Sequence, residues 1–518
     1  MKAAAGTSLA VIAIALAGCV SAPAPGPAPL ASEGLPPLLP TAGVVHGVDG
    51  LAPAQALTAL LAGTVGELRY TGADHDEPTI GVDSQGNVYV SGFVEAPPPF
   101  GSSPTVMRSQ DQGATWENVG PRLPTGHQDP PTTLDPYIYV DPTTDRVFDL
   151  DLYAACAYLS WSDDQGASWS TNPLACGTPV VPNDHQSMVA AKPVQVSTRG
   201  YENVLYYCVN RVADTACARS LDGGTTFEPL TTAYLGVQPE ALDPTSLLGS
   251  EPRGICGGLS GHIKAGPEGT LYLPRDYCGV PSVAISQDDG ATWRVVAISS
   301  EQGSQEHEVA IAVDDAGNVY AFWGNATGLP LLAVSRDQGQ TWSAPRMVGP
   351  PGLTAMGWPA IAAGAEGRVA FAYIGSTMEG GYEGKQTETC SDLLGLQCQP
   401  TGDYDNATWN AYIGVVTDAL SDAPTVVTAT ANDPSDPVAR GVCGRTRCHG
   451  IYDFIDIVID PAGRPWAAFD DACTDRCATD PAGATGPNQG FVGTLAAGPA
   501  LRGALAALPP LPAVAPPT

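Results

Sequence analysis

Five copies of one eight-residue phrase constrain this chain more than anything else in it. They read SQDQGATW (109–116), SDDQGASW (162–169), SLDGGTTF (220–227), SQDDGATW (286–293) and SRDQGQTW (335–342). Each keeps Ser, then Asp two on, Gly four on, Ser or Thr six on, and an aromatic seven on. Strand-like residues flank every copy. The Asp of such a turn accepts backbone N–H groups, and the Gly supplies a positive φ that other residues resist. Each phrase therefore reads as a hairpin whose aromatic opens the next strand, with the aspartates Asp111, Asp164, Asp222, Asp288 and Asp337 in a structural role. Copies start 49 to 66 residues apart, so the chain is an internal repeat with loops of variable length.

A second phrase precedes the first: an apolar strand, Asp, a Gly-containing turn, then an apolar-aromatic strand. It is clear at 80–90 (IGVDSQGNVYV), 138–148, 311–322 and 457–469, looser at 263–273 and 361–371, and interrupted after Met188. Seven such hairpins, five followed by the eight-residue turn, give units of four antiparallel strands. That is the blade of a β-propeller, and an all-β, seven-bladed propeller over 70–497 is expected. In blade six, which lacks the turn, ATWNAYIGVVTD (407–418) is assigned to the outer strands; in blade seven, GFVGTLAA (490–497). The four tryptophans of the turns (Trp116, Trp169, Trp293, Trp342) are expected to be buried between blades. Segment 41–69 contains a stretch of helical composition (50–63) and a candidate closing strand at GELRY. The Ala/Pro/Leu-rich tail, 498–518, reads as disordered.

The eight-residue phrase resembles the Asp box of the sialidase, or BNR-repeat, superfamily. The resemblance implies a sialidase-like propeller, with the boxes on the blade periphery, and does not by itself imply catalysis. Sialidases of that kind use three arginines to clamp a substrate carboxylate, a Tyr–Glu pair and an Asp acid. Their first arginine lies in a Phe/Tyr-Arg-Ile-Pro phrase. Here Leu68-Arg69-Tyr70-Thr71 lacks the Ile-Pro, and nothing local marks Arg253 or Arg275 as clamp members, or Tyr373 or Tyr382 as nucleophile. No catalytic residue is carried over.

Ahead of the repeats, the chain opens as exported proteins do. Residues 1–18 form a signal peptide whose apolar run is too short to span a membrane. It ends in Leu16-Ala17-Gly18-Cys19, which looks like a lipobox with Cys19 as the lipidated residue. A Pro-rich tether follows over 19–40. The chain would then sit on the outside of a bacterial envelope membrane, held by lipid alone. Its formal charge of −31 disfavours nucleic acid and anionic membrane surfaces as partners. Twelve further cysteines fall into neighbours, as suits disulfides in an exported protein: Cys156/Cys176, Cys208/Cys217, Cys256/Cys278, Cys390/Cys398, Cys443/Cys448 and Cys473/Cys477.

Innermost strands line a propeller's channel, so polar residues just upstream of the first-hairpin Asp are candidates for a ligand site. Seven positions before it stand Asp76, His185, His307 and Asp453; six before stand Glu77, Asp135, Gln186, Ser260, Glu308 and Trp358. Asp76, Asp135, His185, His307, Glu308 and Asp453 form the candidate axial set, suited to a cation or a hydroxyl-rich ligand. No cofactor is expected. A cation such as Ca²⁺ has no supporting motif, since Asp403/Asp405 and Asp470/Asp471 lack loop spacing and read as solvated surface pairs. The leading expectation is a monomeric, surface-anchored propeller that binds a glycan or extracellular protein. A sialidase-like glycoside hydrolase and a purely structural envelope protein are the alternatives.

Overall fold

Alternating apolar residues around two kinds of turn produce seven antiparallel sheets arranged as blades. The computed structural model describes residues 41–95, 102–121, 133, 135–153, 156–174, 183–211, 215–234, 259–277, 279–300, 308–378, 387–390, 398–401, 407–441, 454–474, 488–503 and 507–514. Blades one to five take four strands each in chain order, innermost first, over 76–118, 135–174, 183–229, 264–297 and 310–347. Each box sits between the third and fourth strands, at the outer hairpin. Five boxes repeat one network. In the last, Ser335 Oγ donates to Asp337 Oδ1 at 2.7 Å and accepts from Gly339 N at 2.8 Å. Asp337 also accepts from Thr341 N and Oγ1 at 2.8 and 2.6 Å. Those Thr341 donors pull the Asp337 carboxyl down to about 2.

The box Gly is needed twice over. Gly339 has φ 81°, and a Cβ there would come within 2.7 Å of Ile285 in the preceding blade. The box aromatics lean the same way: Trp169 Nε1 donates to Val119 O of blade one at 2.7 Å. They are half-buried rather than buried, which corrects the expectation for Trp116, Trp169, Trp293 and Trp342. The box lies on the outer rim, so each ring lids an inter-blade apolar cluster with one face and keeps the other near solvent.

First-hairpin aspartates work in the same manner. Asp83 accepts from Asn87 N and from the Tyr89 hydroxyl, and Asp314 from Asn318 N and the Tyr320 hydroxyl. Blade three has Ala191 where blades one, two, five and seven have this Asp, and blades four and six have Gly266 and Gly364. The structure fills the place from outside: Asp289, in the box of blade four, accepts from the N–H groups of Val194, Gln195 and Val196 and from the Tyr206 hydroxyl.

The ring is closed by the N-terminal segment. Strand Val65–Tyr70 pairs with Gln489–Ala497 as the fourth strand of blade seven, and Val44–Gly47 adds an outer strand to blade six. Between them runs a helix, Gln55–Leu61, with Leu61 fully buried. Blade six departs from the expected assignment. Residues Thr408–Val416 form only its third strand, and the fourth is Thr425–Thr430, because without a box aromatic the turn runs longer. The expected disorder of the tail is also corrected. Leu501 is buried and bonds through its N–H to Gly463 O and through its carbonyl to Ala365 N, while Pro512 O accepts from Arg69.

Cys208 and Cys217 face each other across two strands of blade three and are bonded. Cys473 is also in a disulfide, and its expected partner Cys477 lies outside the described residues. Strand register places Cys390 opposite Cys398. Cys176, Cys256, Cys278, Cys443 and Cys448 lie outside the described residues, as does Cys19.

Asp289→Ala strips three backbone amides of their acceptor and should destabilise the protein by about 3 kcal/mol. Gln338→Ala, at the equivalent box position of blade five with the same positive φ, should cost less than about 1 kcal/mol. Urea unfolding of the two variants side by side provides the check.

Candidate functional site

The innermost strands begin at the end of the ring opposite the boxes, and three of them open with a bulge. Glu77, His185 and Trp358 each adopt positive φ, at 52, 51 and 54°, where the ladder slips before regular pairing starts. Strand pairing also corrects the alignment in blade three. Val189 opposes Tyr206 as Gly81 opposes Tyr89, which sets His185, not Gln186, level with Glu77. Glu77, Asp135, His185, Ser260, Glu308, Trp358 and Phe454 thus occupy one tier. Two residues further along the strands lie Thr79, Tyr137, Ser187, His262, Ala310, Ala360 and Asp456.

The lower tier ties blades together. Thr79 Oγ1 accepts from Ile138 N, the Tyr137 hydroxyl donates to Met188 O, and Ser187 Oγ accepts from Ile263 N. Where that pattern reaches His262, the chemistry changes. His262 stacks on His185 at 5.7 Å, and Phe454 packs edge-on against both rings. His185 Nε2 is 3.5 Å from Glu308 Oε1, and His262 Nδ1 is 3.6 Å from Asp456 Oδ1, with Lys264 Nζ 4.0 Å from the same oxygen. The N–H of His185 points at Asp135 Oδ2, 3.4 Å away. Burial opposes charge on His185, yet Glu308, Asp184 and Asp135 around it raise its pKa to about 9. Burial also opposes ionisation of Asp456, but Lys264 and His262 hold its carboxyl below the usual range. A cavity of about 10 Å³, room for about one water, is lined by His262, Lys264, Glu308 and Asp456.

Of the candidate set, Asp135, His185 and Glu308 converge. Asp76 belongs to a different group between blades one and seven. Asn488 Nδ2 bridges it to Asp470, with bonds of 2.6 Å to Asp76 Oδ1 and 2.9 Å to Asp470 Oδ2. Asp471 accepts from the Tyr70 hydroxyl at 3.0 Å. Asp470 and Asp471 are buried, not the solvated pair expected from the sequence. Burial, with Asp76 alongside, drives the Asp470 carboxyl well above its ordinary value, and burial takes Asp471 to about 7. His307, Asp453, Asp403 and Asp405 lie outside the described residues. His262 and Asp456 were not found from the sequence; the available signal was the two-residue period of the strand that carries the first tier.

The residues weighed for a sialidase clamp are engaged in the scaffold. Arg69 is buried in the closing strand and bonds Glu67, Gln112 O and Pro512 O. Arg275 lies over the Tyr234 ring and donates to Thr215 Oγ1 at 3.1 Å. Tyr373 stacks on Tyr412 in the core of blade six. Arg253 and Tyr382 lie outside the described residues.

A family model described as the BNR/Asp-box repeat matches residues 333–344, the fifth box and its approach. With seven blades and five such turns, the chain is a seven-bladed β-propeller carrying BNR/Asp-box repeats. No curated protein matches the sequence. Among solved structures, a lectin from Burkholderia pseudomallei is 10% identical, over 76% of this chain and 92% of its own, with a TM-score of 0.44. An α-L-arabinanase from Penicillium chrysogenum is 11% identical over 77% and 99%, with a TM-score of 0.37. A leech intramolecular trans-sialidase is 13% identical over 82% and 70%, with a TM-score of 0.35. At such scores none of these likenesses bears on function.

A carboxyl whose folded pKa is raised stabilises the fold below its unfolded value, near 4, and that stability is lost as pH rises through the folded value. The Asp470/Asp471 pair should therefore weaken the protein between about pH 4 and 7 and above. Asp470→Asn keeps a hydrogen-bonding group and removes the ionisation. Its melting temperature should exceed the wild type's at pH 8 and converge with it toward pH 4.

Proposed function

We propose that this chain is a lipid-anchored, cell-surface propeller that binds a neutral, hydroxyl-rich glycan at the mouth opposite the boxes. The observation that carries the reading is the convergence of Asp135, His185, Glu308, His262 and Asp456 from five blades onto one end of the channel. Carboxylates accept hydrogen bonds from sugar hydroxyls, whereas they repel an anionic sugar that no arginine clamp offsets. Arg69 and Arg275 are committed elsewhere, and a protein at −31 offers an anion no long-range attraction. The described strands on either side of 122–132, 235–258, 301–307, 379–386 and 442–453 end or begin at this same mouth.

Binding of purified protein to an array of neutral and sialylated glycans tests the reading. Neutral glycans should be retained and Asp135→Asn should reduce retention at least tenfold, while the melting temperature stays within a few degrees of wild type. Retention of sialylated glycans alone would contradict it.

One observation favours hydrolysis as a second reading: the buried Asp470 carboxyl shares Asn488 with Asp76, and burial with Asp76 alongside raises its pKa, the direction a general acid requires. Turnover of a fluorogenic glycoside that Asp470→Asn abolishes would establish that reading.

Anchoring rests on Cys19 at the end of the lipobox-like run. Cys19→Ser should move the protein from the membrane to the soluble fraction of fractionated cells, and unchanged retention would count against a lipid anchor.

A further inference from the structure

His185, His262 and Glu308 present three donor atoms that all lie within 4.8 Å of one another. They come from the inner strands of blades three, four and five, and their exposures are 2, 7 and 4%. His185 Nδ1 is 2.6 Å from Ser260 O, a carbonyl that can only accept, so Nδ1 carries the proton and Nε2 is the nitrogen turned toward Glu308. Asp456 Oδ1 lies 3.6 Å from Nδ1 of His262, a looser contact on the same side of the ring. A carbonyl or carboxylate behind a histidine fixes the ring and leaves Nε2 as the ligand atom; metal-binding histidines are built so. Among the described residues, Nε2 of both rings and Oε1 of Glu308 have no hydrogen-bond partner. His185 Nε2 and Glu308 Oε1 face each other only as an ion pair at 3.5 Å, and buried polar atoms without hydrogen bonds are costly to keep.

We infer that these three side chains hold one divalent first-row transition metal. Two imidazoles and one carboxylate suit zinc or a metal of similar preference, and are poor ligands for calcium, which takes oxygens. Donor atoms around tetrahedral zinc stand about 3.4 Å apart, given bonds of about 2.0–2.2 Å. The pair His185 Nε2 and Glu308 Oε1, at 3.5 Å, already has that spacing. The remaining separations, of up to 4.8 Å, would have to close by up to about 1.4 Å around a bound ion. A fourth position faces the small cavity lined by Lys264, Glu308 and Asp456, which accommodates about one water or ligand oxygen. The mouth would thus present a metal with one exchangeable site, beside acceptors for sugar hydroxyls. Metal uptake is measured without any glycan, so its failure and the failure of the glycan reading are distinguishable.

The test is titration of Zn²⁺ and Co²⁺ into untagged, chelator-treated protein, followed by calorimetry and by visible absorption for Co²⁺. One ion per chain is expected, with Co²⁺ giving the intense bands of a four-coordinate site. His262→Ala and Glu308→Gln should each weaken Zn²⁺ binding at least 100-fold, and Asp456→Asn, which acts through His262, about 10- to 100-fold. Circular dichroism on each variant separates lost ligands from lost fold. If the single variants do not fold, the wild-type stoichiometry and Co²⁺ spectrum decide the matter. No stoichiometric uptake by wild type would leave a His185–Glu308 ion pair only and overturn the inference. Uptake unchanged in the folded His262→Ala and Glu308→Gln variants would overturn it equally.

Discussion

The pairing of Val65–Tyr70 with Gln489–Ala497 joins the two ends of the fold, and everything at the mouth depends on it. No blade buries both its faces alone. The apolar clusters straddle neighbours: Val88 and Val90 of blade one pack with Trp466 and Val492 of blade seven, and Leu150 of blade two with Tyr207 of blade three. An open ring would expose one face of blade one and one of blade seven, each worth many buried side chains at about 1.5–3 kcal/mol apiece. Arg69 adds a polar seam at the same junction, reaching the first box through Gln112 O and the tail through Pro512 O. Closure fixes the channel radius, and the channel radius sets whether His185, His262 and Glu308 meet.

The protein uses carboxylates in two opposed ways. At the rim, box aspartates are surrounded by hydroxyl and amide donors, which favour the charged form; Asp337 stays ionised down to about pH 2. Near the axis, burial works against charge, and each carboxylate is settled by its neighbours. Lys264 and His262 shift Asp456 toward its charged form, while burial and Asp76 shift Asp470 away from it. Rim carboxylates and Asp456 lend stability that is lost as pH falls below about 4, whereas Asp470 and Asp471 lend stability that is lost as pH rises from about 4. The window between is set by the fold rather than by the net charge of −31.

What could be read from the sequence was local. The box is a turn whose donors and acceptors lie within seven residues, so its five copies disclosed their geometry directly, and the seven first-hairpin phrases disclosed the blade count. What could not be read was borrowed across blades. Asp289 looks like an ordinary variant of a box position filled by Gln in blades one, two and five, yet it replaces the missing aspartate of blade three through residues some ninety positions earlier. His262 and Asp456 sit two residues past the tier that was identified, on the same face of strands whose second inward position was not followed. His185, not Gln186, is level with Glu77 and Glu308 because blade three has Ala191 at the first-hairpin Asp position, which left the alignment of that phrase without its anchor. Asp470 and Asp471 looked like surface charges because carboxylates are rarely buried unpaired; their partners, Asn488 and Tyr70, lie in other strands.

Hydrogen exchange of the native protein tests the dependence of the mouth on closure most directly. If the ring is one cooperative unit, amides of 65–70 and 489–497 should exchange only with global unfolding, as slowly as those of the inner strands that carry His185 and Glu308. Exchange of the closing strand at rates far above those of blades three to five would contradict the account, because the axial cluster would then persist without the closure said to create it.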